Sequence, residues 1–164
     1  MVAIQDQLLA AVGDRRGVGA ADRLCEACVV LFGVDAATIS LVFDGANAGT
    51  LGASGVSARV YDELQFILGG GPCLDSVAYR APVLVVDLAD PDVVRWPAYG
   101  PAMLAHQIRG VYAMPVVVAG EFVGALDLFR ADPGLLHPST LRSRLSTADL
   151  AGRTYKSPIR VRPP

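Results

Sequence analysis

Two apolar runs separated by one tight turn are the feature that most constrains the fold of this chain. The runs cover residues 111–118 and 121–129, with Ala119 and Gly120 between them. This pattern predicts a β-hairpin, because two-residue turns that contain glycine join antiparallel strands. Pro115 lies inside the first run, so we expect that strand to begin at Pro115 or to bulge near it. The chain must therefore build at least part of an antiparallel sheet.

Two helical patterns and a second hairpin are predicted before this one. Apolar residues recur at helical spacing in residues 4–12 and 20–32, and Gly33 is the predicted end of the second helix. Residues 38–43 alternate as a strand does, and residues 50–54 form the predicted return strand after an Asp- and Gly-rich turn.

The middle of the chain predicts three helices and one strand. The first helix begins near Ser57 and ends at Gly69 to Gly71. Its predicted apolar side consists of Val60, Tyr61, Leu64 and Ile67 or Leu68. A short helix over 73–79, a strand over 82–86 and a helix over 96–107 follow. Hairpins require antiparallel pairing, and the helices do not alternate regularly with the strands, so the predicted fold class is α+β.

Composition limits the class of protein. The chain has 164 residues, of which 52% are hydrophobic and 18% charged, which fits one globular domain and argues against global disorder. The net charge of −2 offers no general attraction for nucleic acid or an anionic membrane. No apolar run approaches the ~20 residues that span a bilayer. We see no signal peptide, and three cysteines cannot all pair, so we expect a cytoplasmic protein.

Three segments carry a family resemblance. They lie in residues 63–75 (ELQFILGGGPCLD), 82–97 (with PVLVVDL and RWP) and 113–128 (with AMPV and GEFVGALDL). In their order and spacing the chain resembles GAF domains, and most closely the GAF portion of actinobacterial GAF-ANTAR regulators. The resemblance covers residues 20–136, with 1–19 as an N-terminal helix and linker and 137–164 as a basic, weakly helical or disordered tail.

The resemblance implies a GAF-like, PAS-related central antiparallel sheet. Terminal helices would pack on one face and mediate homodimerisation, while loops and short helices would close over a small molecule on the other. In the relatives an ANTAR domain, a three-helix RNA-binding module, often follows. The residues after Gly134 are too few and too poorly patterned for three packed helices. We therefore do not expect RNA binding, although the tail is basic.

Candidate ligand-binding residues come mainly from segments that would cover the sheet. A pocket needs apolar walls with few polar groups, and the aromatic residues of 96–107 suit such a wall and a packed core equally. Asp127 lies within an apolar strand, so it needs partners if it is buried, and a structural role is favoured for both Asp87 and Asp127. The candidate ligand-binding residues are Phe43, Phe66, Cys73, Asp87, Trp96, Tyr99, Met103 and Asp127.

The cysteines allow enzymatic alternatives, which the sequence disfavours. Cys25 and Cys28 lie in mid-helix on its apolar face, so packing is favoured over redox or metal chemistry. Cys73 follows Gly71-Pro72 at a predicted helix start, where a thiol pKa is lowered. One branch of the GAF family reduces free methionine sulfoxide with a cysteine in a comparable stretch, but it needs further cysteines in residues 96–109, where this chain has none. We expect no catalytic residue.

No cofactor or metal site is predicted. The glycines at 69–71 are not followed by a Gly-Lys-Ser/Thr sequence, so a helix-ending turn is favoured over a phosphate loop. His106 and His137 do not form a ligand set, and a surface role for His106 is favoured over haem ligation.

The leading hypothesis is a cytoplasmic, homodimeric GAF domain that senses an unidentified small molecule or binds a signalling protein, acting in signal transduction or transcription regulation. A ligand-free protein-interaction module and a reductase-like enzyme are the alternatives.

Overall fold

The late hairpin forms the centre and one flank of a five-stranded sheet. The structure, a computed structural model, describes residues 13–14 and 17–136. The strands lie in the order β2-β1-β5-β4-β3, and every neighbouring pair is antiparallel. Their bounds are β1 Ala36–Phe43, β2 Ala46–Ala53, β3 Val83–Val85, β4 Gly110–Val118 and β5 Glu121–Arg130.

The turn of this hairpin has the predicted chemistry. Ala119 and Gly120 both have positive φ, 50° and 83°, as a two-residue turn of type I′ requires. The strand does not begin at Pro115, which pairs with Ala125, but its register shifts nearby, between Val116 and Val117. A proline is tolerated in β4 because β3 begins at Val83, opposite Ala113, so that among the described strands Pro115 has a partner on one side only.

Four helices belong to the described part of the chain. They are α1 Val18–Phe32, α2 Val56–Ile67, α3 Pro72–Tyr79 and α4 Tyr99–Ala105. Gly33 ends α1 in the left-handed conformation, with φ 59°, as predicted. Pro72 occupies the first turn of α3, where its missing N–H has no intrahelical partner in any case. None of the described helices is long and apolar enough to cross a membrane.

The helices divide between the two faces of the sheet. On one face α1 buries Cys25, Cys28 and Phe32 against Tyr112 and Leu128. On the other face α2, α3 and α4 cover the alternate strand residues, which include Val111, Ala113 and Phe129. The fold is the expected GAF-like arrangement. The predicted helix over 4–12 and the predicted tail over 137–164, which includes His137, lie outside the described residues.

Two contacts hold α1 close to the sheet. A Cβ on Gly52 would lie 2.6 Å from the carbonyl carbon of Ala21, so only glycine allows β2 to approach the helix backbone here. Beside it, the backbone N–H of Ala53 donates a hydrogen bond of 2.9 Å to Asp22 Oδ1.

The segment after β5 also packs on the α1 side of the sheet. The Tyr112 hydroxyl donates to the Gly134 carbonyl, and Leu136 packs into the α1 core.

Candidate functional site

A set of polar side chains is buried beneath α2, α3 and α4. We call this set the polar cluster and define it as Ser40, Asp62, Gln65, Cys73, Tyr99 and Asp127, each at most 1% exposed. Its members come from two strands and three helices. Since buried polar groups cost free energy unless they are hydrogen-bonded, their partners decide what the cluster can do.

The buried face of α2 carries polar residues, which is a departure from the sequence expectation. Ala58, Asp62 and Gln65 are its buried residues, at helical spacing along one face. Of the predicted apolar side, Ile67 is 75% exposed, whereas Tyr61 and Leu64 are half-buried against the core. Apolar periodicity therefore identified only part of the buried face, because two of the three fully buried side chains are polar.

Asp62 is held by two hydroxyl groups. Ser40 Oγ donates to Asp62 Oδ1 at 2.5 Å, and the Thr50 hydroxyl donates to Asp62 Oδ2. Burial nevertheless raises the pKa of Asp62, because removal from water disfavours the carboxylate more than the hydroxyl donors and the Arg59 charge favour it.

Gln65 joins three elements through one amide group. Its Nε2 donates to Asp127 Oδ2 on β5 at 2.9 Å, and its Oε1 accepts the backbone N–H of Cys73 on α3, also at 2.9 Å. Gly71 makes room for it, because a Cβ there would lie 2.6 Å from Gln65 Cγ. The glycine stretch therefore has a structural explanation, in which Gly71 allows close approach and Gly69, with φ 68°, turns the chain after α2.

Asp127 accepts a hydrogen bond at only one of its two oxygens that meets the geometric criteria for such a bond. Its Oδ1 has no hydrogen-bond partner among the described residues, and the same holds for the Tyr99 hydroxyl and for Thr38, the cross-strand partner of Asp127. Burial raises the pKa of Asp127 well above its usual value, and the nearby charge of Asp62 raises it further. The group is thus a carboxyl that favours its protonated form or a positively charged neighbour.

Cys73 lies beside both carboxyl groups. Its Sγ and one oxygen each of Asp62 and Asp127 all lie within 4.8 Å of one another. Burial raises the pKa of the Cys73 thiol, and the charges of Asp127 and Asp62 act in the same direction. The lowered pKa that its place at the start of α3 predicts is therefore wrong, because desolvation outweighs the helix dipole.

The structure brings together only part of the candidate residues. Cys73, Tyr99 and Asp127 belong to the polar cluster, and Met103 is fully buried in the same apolar core as Tyr99. Phe66 is half-buried on α2.

The remaining candidates lie elsewhere. Phe43, at the end of β1, is 79% exposed. Asp87 accepts two hydrogen bonds from Arg109, at 2.9 and 2.5 Å, and therefore fixes a loop at the end of β3. Asp87 therefore has the structural role that the sequence favours. The acidic partner of Asp127 is Asp62, which the sequence reasoning missed together with Gln65.

Trp96 covers the start of α3 from outside. Its Nε1 donates to Asp75 Oδ2 at 2.9 Å, and its ring lies 3.8 Å from a Cβ placed on Gly70. Arg95 makes an ion pair of 2.8 Å with the same Asp75 and stacks on Tyr79, 4.6 Å from the ring centre. Burial raises the pKa of Asp75, which the Arg95 charge opposes. These contacts attach the segment before α4 to α3.

The other sequence candidates have structural roles. Cys25 and Cys28 are fully buried in the α1 core, as predicted for packing, and burial raises the pKa of Cys25. His106 is exposed at the end of α4, where its ring contacts Tyr61 at 5.7 Å.

Comparisons with known proteins agree with this architecture. A family model described as GAF domain matches residues 19–154. No curated protein matches the chain. The GAF domain of a phosphoenolpyruvate-protein phosphotransferase from Coxiella burnetii has a TM-score of 0.66 at 16% identity, covering 90% of this chain and 88% of that one.

Enzymes share the fold as well. Free methionine-R-sulfoxide reductase from Neisseria meningitidis, in complex with its substrate, has a TM-score of 0.63 at 16% identity, covering 90% of this chain and 83% of that one. At such identities the likeness concerns the fold alone. Structural neighbours therefore include GAF domains, a domain of a two-component sensor histidine kinase protein from Sinorhizobium meliloti, and enzymes.

Proposed function

The chain belongs to the GAF domain family, and from this premise we propose that it is a regulatory domain that holds a small ligand in the polar cluster beneath α2, α3 and α4. The observation that carries the proposal is the set of buried polar atoms without partners. An unsatisfied buried polar group costs about 1–3 kcal/mol. Asp127 Oδ1, the Tyr99 hydroxyl and the Thr38 hydroxyl are three such atoms in the described residues. A ligand that supplies partners for them would recover part of that free energy.

Helix contacts provide a route from the ligand to the rest of the domain. Gln65 of α2 binds Asp127 on β5 and the backbone of Cys73 on α3. A ligand on Asp127 would weaken or strengthen the Gln65–Asp127 hydrogen bond, and so change how α2 and α3 are held on the sheet. A ligand with different affinities for two such arrangements shifts their populations, which is the basis of a sensor.

The cysteines support a non-enzymatic role. Cys73 is fully buried, and its raised pKa keeps the thiol protonated near neutral pH. A reductase needs a reactive thiolate and thiols that can form a disulfide with it. The two other cysteines, Cys25 and Cys28, belong to the core on the opposite face of the sheet. We therefore favour a sensor over a methionine sulfoxide reductase.

The proposal includes a cytoplasmic homodimer that acts in signal transduction or transcription regulation. All three cysteines are free, as expected of a reducing compartment. Val18 and Val30 are 56% and 82% exposed on α1, which offers apolar surface on the helix expected to pair. Light scattering on the purified chain tests the dimer, and a monomer at all concentrations would contradict it.

A ligand screen tests the binding site. The purified chain is screened against small metabolites by thermal shift, with native mass spectrometry of the hits. We expect at least one compound to raise the Tm of the wild type and of Asp87→Asn, but not of Asp127→Asn. Asp87→Asn is the matched control, because it changes a carboxylate to an amide outside the cluster. A ligand that still binds Asp127→Asn with unchanged affinity would place the site elsewhere.

A protein-interaction module is the second candidate. It is favoured by Phe43, which is 79% exposed at the tip of the β1–β2 hairpin, as a binding anchor would be. An empty small-molecule screen, together with a partner whose binding is lost in Phe43→Ala, would support this candidate against the sensor.

A further inference from the structure

We propose that the polar cluster is a site for a divalent metal ion, with Asp62, Cys73 and Asp127 as ligands of Zn²⁺. This assignment rests on the proposed function, since it names the class of ligand that the cluster would hold.

The ligand atoms converge from three separate elements. Asp62 comes from α2, Cys73 from α3 and Asp127 from β5. The thiol sulfur and one oxygen of each carboxyl group lie within 4.8 Å of one another. Tetrahedral zinc with bonds of about 2.0–2.3 Å needs its ligand atoms roughly 3.3–3.8 Å apart. Small side-chain rotations would therefore close the set around one ion.

Each ligand has electron pairs to spare. Asp127 Oδ2 accepts the bond from Gln65, while Oδ1 has no partner in the described structure. Each oxygen of Asp62 accepts one hydroxyl, which leaves a second acceptor site on each. The ion would thus add to the hydrogen bonds from Gln65, Ser40 and Thr50, and would replace the hydrogen bond between the Cys73 thiol and Asp127.

Tyr99 is independent evidence for an occupant. Its hydroxyl is fully buried and has no partner among the described residues, which is rare for a tyrosine. It lies within electrostatic range of Asp127, Asp62 and Cys73, whose charges add to burial in raising the pKa of Tyr99. A water held as the fourth ligand of the ion would give this hydroxyl a partner.

The charge of the cluster requires compensation. Three ionised ligands would place three negative charges in the interior, and the buried polar residues of the described part include no lysine, arginine or histidine. Arg59 acts on Asp62, but its side chain is 40% exposed. A divalent cation bound among the three ligands would balance most of that charge.

The donor types select the ion. Mg²⁺ and Ca²⁺ prefer oxygen ligands only, so the thiol argues against them. Zn²⁺ binds both thiolate and carboxylate and accepts four ligands. Gln65 would act as the outer partner that orients a ligating carboxylate, because it holds Asp127 Oδ2 and leaves Oδ1 available for the ion.

Metal titration of the full chain tests the site. The purified protein is stripped with a chelator, then titrated with Zn²⁺ alone and, separately, with Co²⁺ as a spectroscopic probe. We expect one ion per chain and thiolate-to-cobalt charge-transfer absorption. Cys73→Ser should lose that absorption, Asp127→Asn should lose tight binding, and Gln65→Leu should weaken binding about 10–100-fold. Cys28→Ser, a buried cysteine on the opposite face, is the matched control and should behave as wild type.

A second measurement uses only the wild type, so that it does not depend on the folding of a variant. Alkylation of the three cysteines is followed by mass spectrometry with and without Zn²⁺. Selective slowing at Cys73 relative to Cys25 supports the site. Equal effects on both thiols, or no bound ion at equilibrium, overturn it.

Failure of the metal assignment and failure of the proposed function give different results. No zinc binding, with a small molecule that raises the Tm in an Asp127-dependent way, overturns only the metal assignment. Zinc binding at Asp127 that leaves the oligomeric state and hydrogen exchange of α1 unchanged retains the metal site and overturns sensing.

Discussion

The two faces of the sheet bury their side chains in different ways. On the α1 face the core is apolar, and its two cysteines pack as small hydrophobic residues. On the opposite face two carboxyl groups, an amide and a thiol are enclosed along with the apolar core. Strand β5 contributes to both faces, because its successive residues Asp127 and Leu128 point to opposite sides of the sheet. The comparison separates residues that stabilise the fold from residues that cost it stability.

That cost is what makes the second face a candidate site. A core of hydrophobic side chains packs well and contains no polar side-chain atom that needs a hydrogen-bond partner. Such a core also offers a ligand no polar contact. Unpartnered polar atoms in an otherwise packed interior are expected where function competes with stability. The α1 face therefore serves as an internal reference for the other.

Adjacent substitutions in β5 should show the largest contrast. We expect Leu128→Ala to reduce the free energy of unfolding by about 2–5 kcal/mol, because it leaves a cavity in the α1 core. Asp127→Asn, in metal-free protein at pH near 8, should cost less than about 1 kcal/mol or stabilise, because the amide has a similar shape and is neutral without taking up a proton on folding. Urea unfolding measures both. Equal losses would mean that the two faces contribute to stability in the same way.

Two glycines extend the comparison to packing. Gly52→Ala should destabilise by about 1–3 kcal/mol or more, because its Cβ meets the backbone of Ala21, which cannot move alone. Gly71→Ala should also destabilise, by about 1–3 kcal/mol, because its Cβ displaces the side chain of Gln65 from its two buried hydrogen bonds. Gly19→Ala is the control, since nothing lies within 4 Å of its Cβ and alanine favours the helix.

The Gly71→Ala variant also has a functional consequence. Displacing Gln65 should weaken ligand binding in the polar cluster, whereas Gly52→Ala, measured below its unfolding transition, should leave the affinity unchanged. A ligand affinity that falls in Gly52→Ala but not in Gly71→Ala would contradict the placement of the ligand site on the face opposite α1.

The pH dependence of stability should also come from one face. The pKa of Asp127 is raised in the folded state, so folding favours its protonated form. Its contribution is fully present below the unfolded pKa of about 3.9 and is lost as pH rises towards the raised folded pKa, by at most about 1.4 kcal/mol per pH unit for one proton. Asp62 adds in the same direction. Chelator-treated wild type should therefore be less stable at about pH 8 than at about pH 5, and Asp127→Asn should flatten the profile.

The Asp87–Arg109 pair should give the smallest effect, with the opposite sign. Hydrogen bonds from Arg109 lower the pKa of Asp87, so its contribution is present above the unfolded pKa and is lost as pH falls through the folded one. Both side chains are partly exposed, and such pairs contribute little. Asp87→Asn should cause a smaller loss of stability than the changes above. A ligand affinity that falls with it would contradict its role as a control.

Local signals in the sequence predicted most of the fold. The hairpin at Ala119 and Gly120, the end of α1 at Gly33 and the short helix α3 depend on turn chemistry and capping, which neighbouring residues determine. The predicted return strand 50–54 was too short. The chain turns already at Asp44 and Gly45, with φ of 51° and 74°, so that β2 begins at Ala46.

The candidate site was predicted only in part, for a physical reason. Asp127 attracted notice because it interrupts an apolar strand, and Cys73 because it follows the glycine stretch. Asp62 and Gln65 were missed because polar residues on a helix are assigned to its exposed side by default. The helical spacing of Ala58, Asp62 and Gln65 is visible in the sequence. The burial of Gln65, however, depends on its hydrogen bond to Asp127, which lies sixty-two residues farther along the chain.

Gln65 offers one donor and one acceptor to the interior, and the structure uses both. Glutamate in its place would keep only the acceptor and set a third carboxylate beside two others, while leucine would keep neither. Other chains of this fold that share the polar cluster should have an amide at the position of Gln65 and an acid at that of Asp127 on β5. This pair of residues should identify them more reliably than overall sequence identity does. Where the amide is absent, we expect the partner acid to be absent as well.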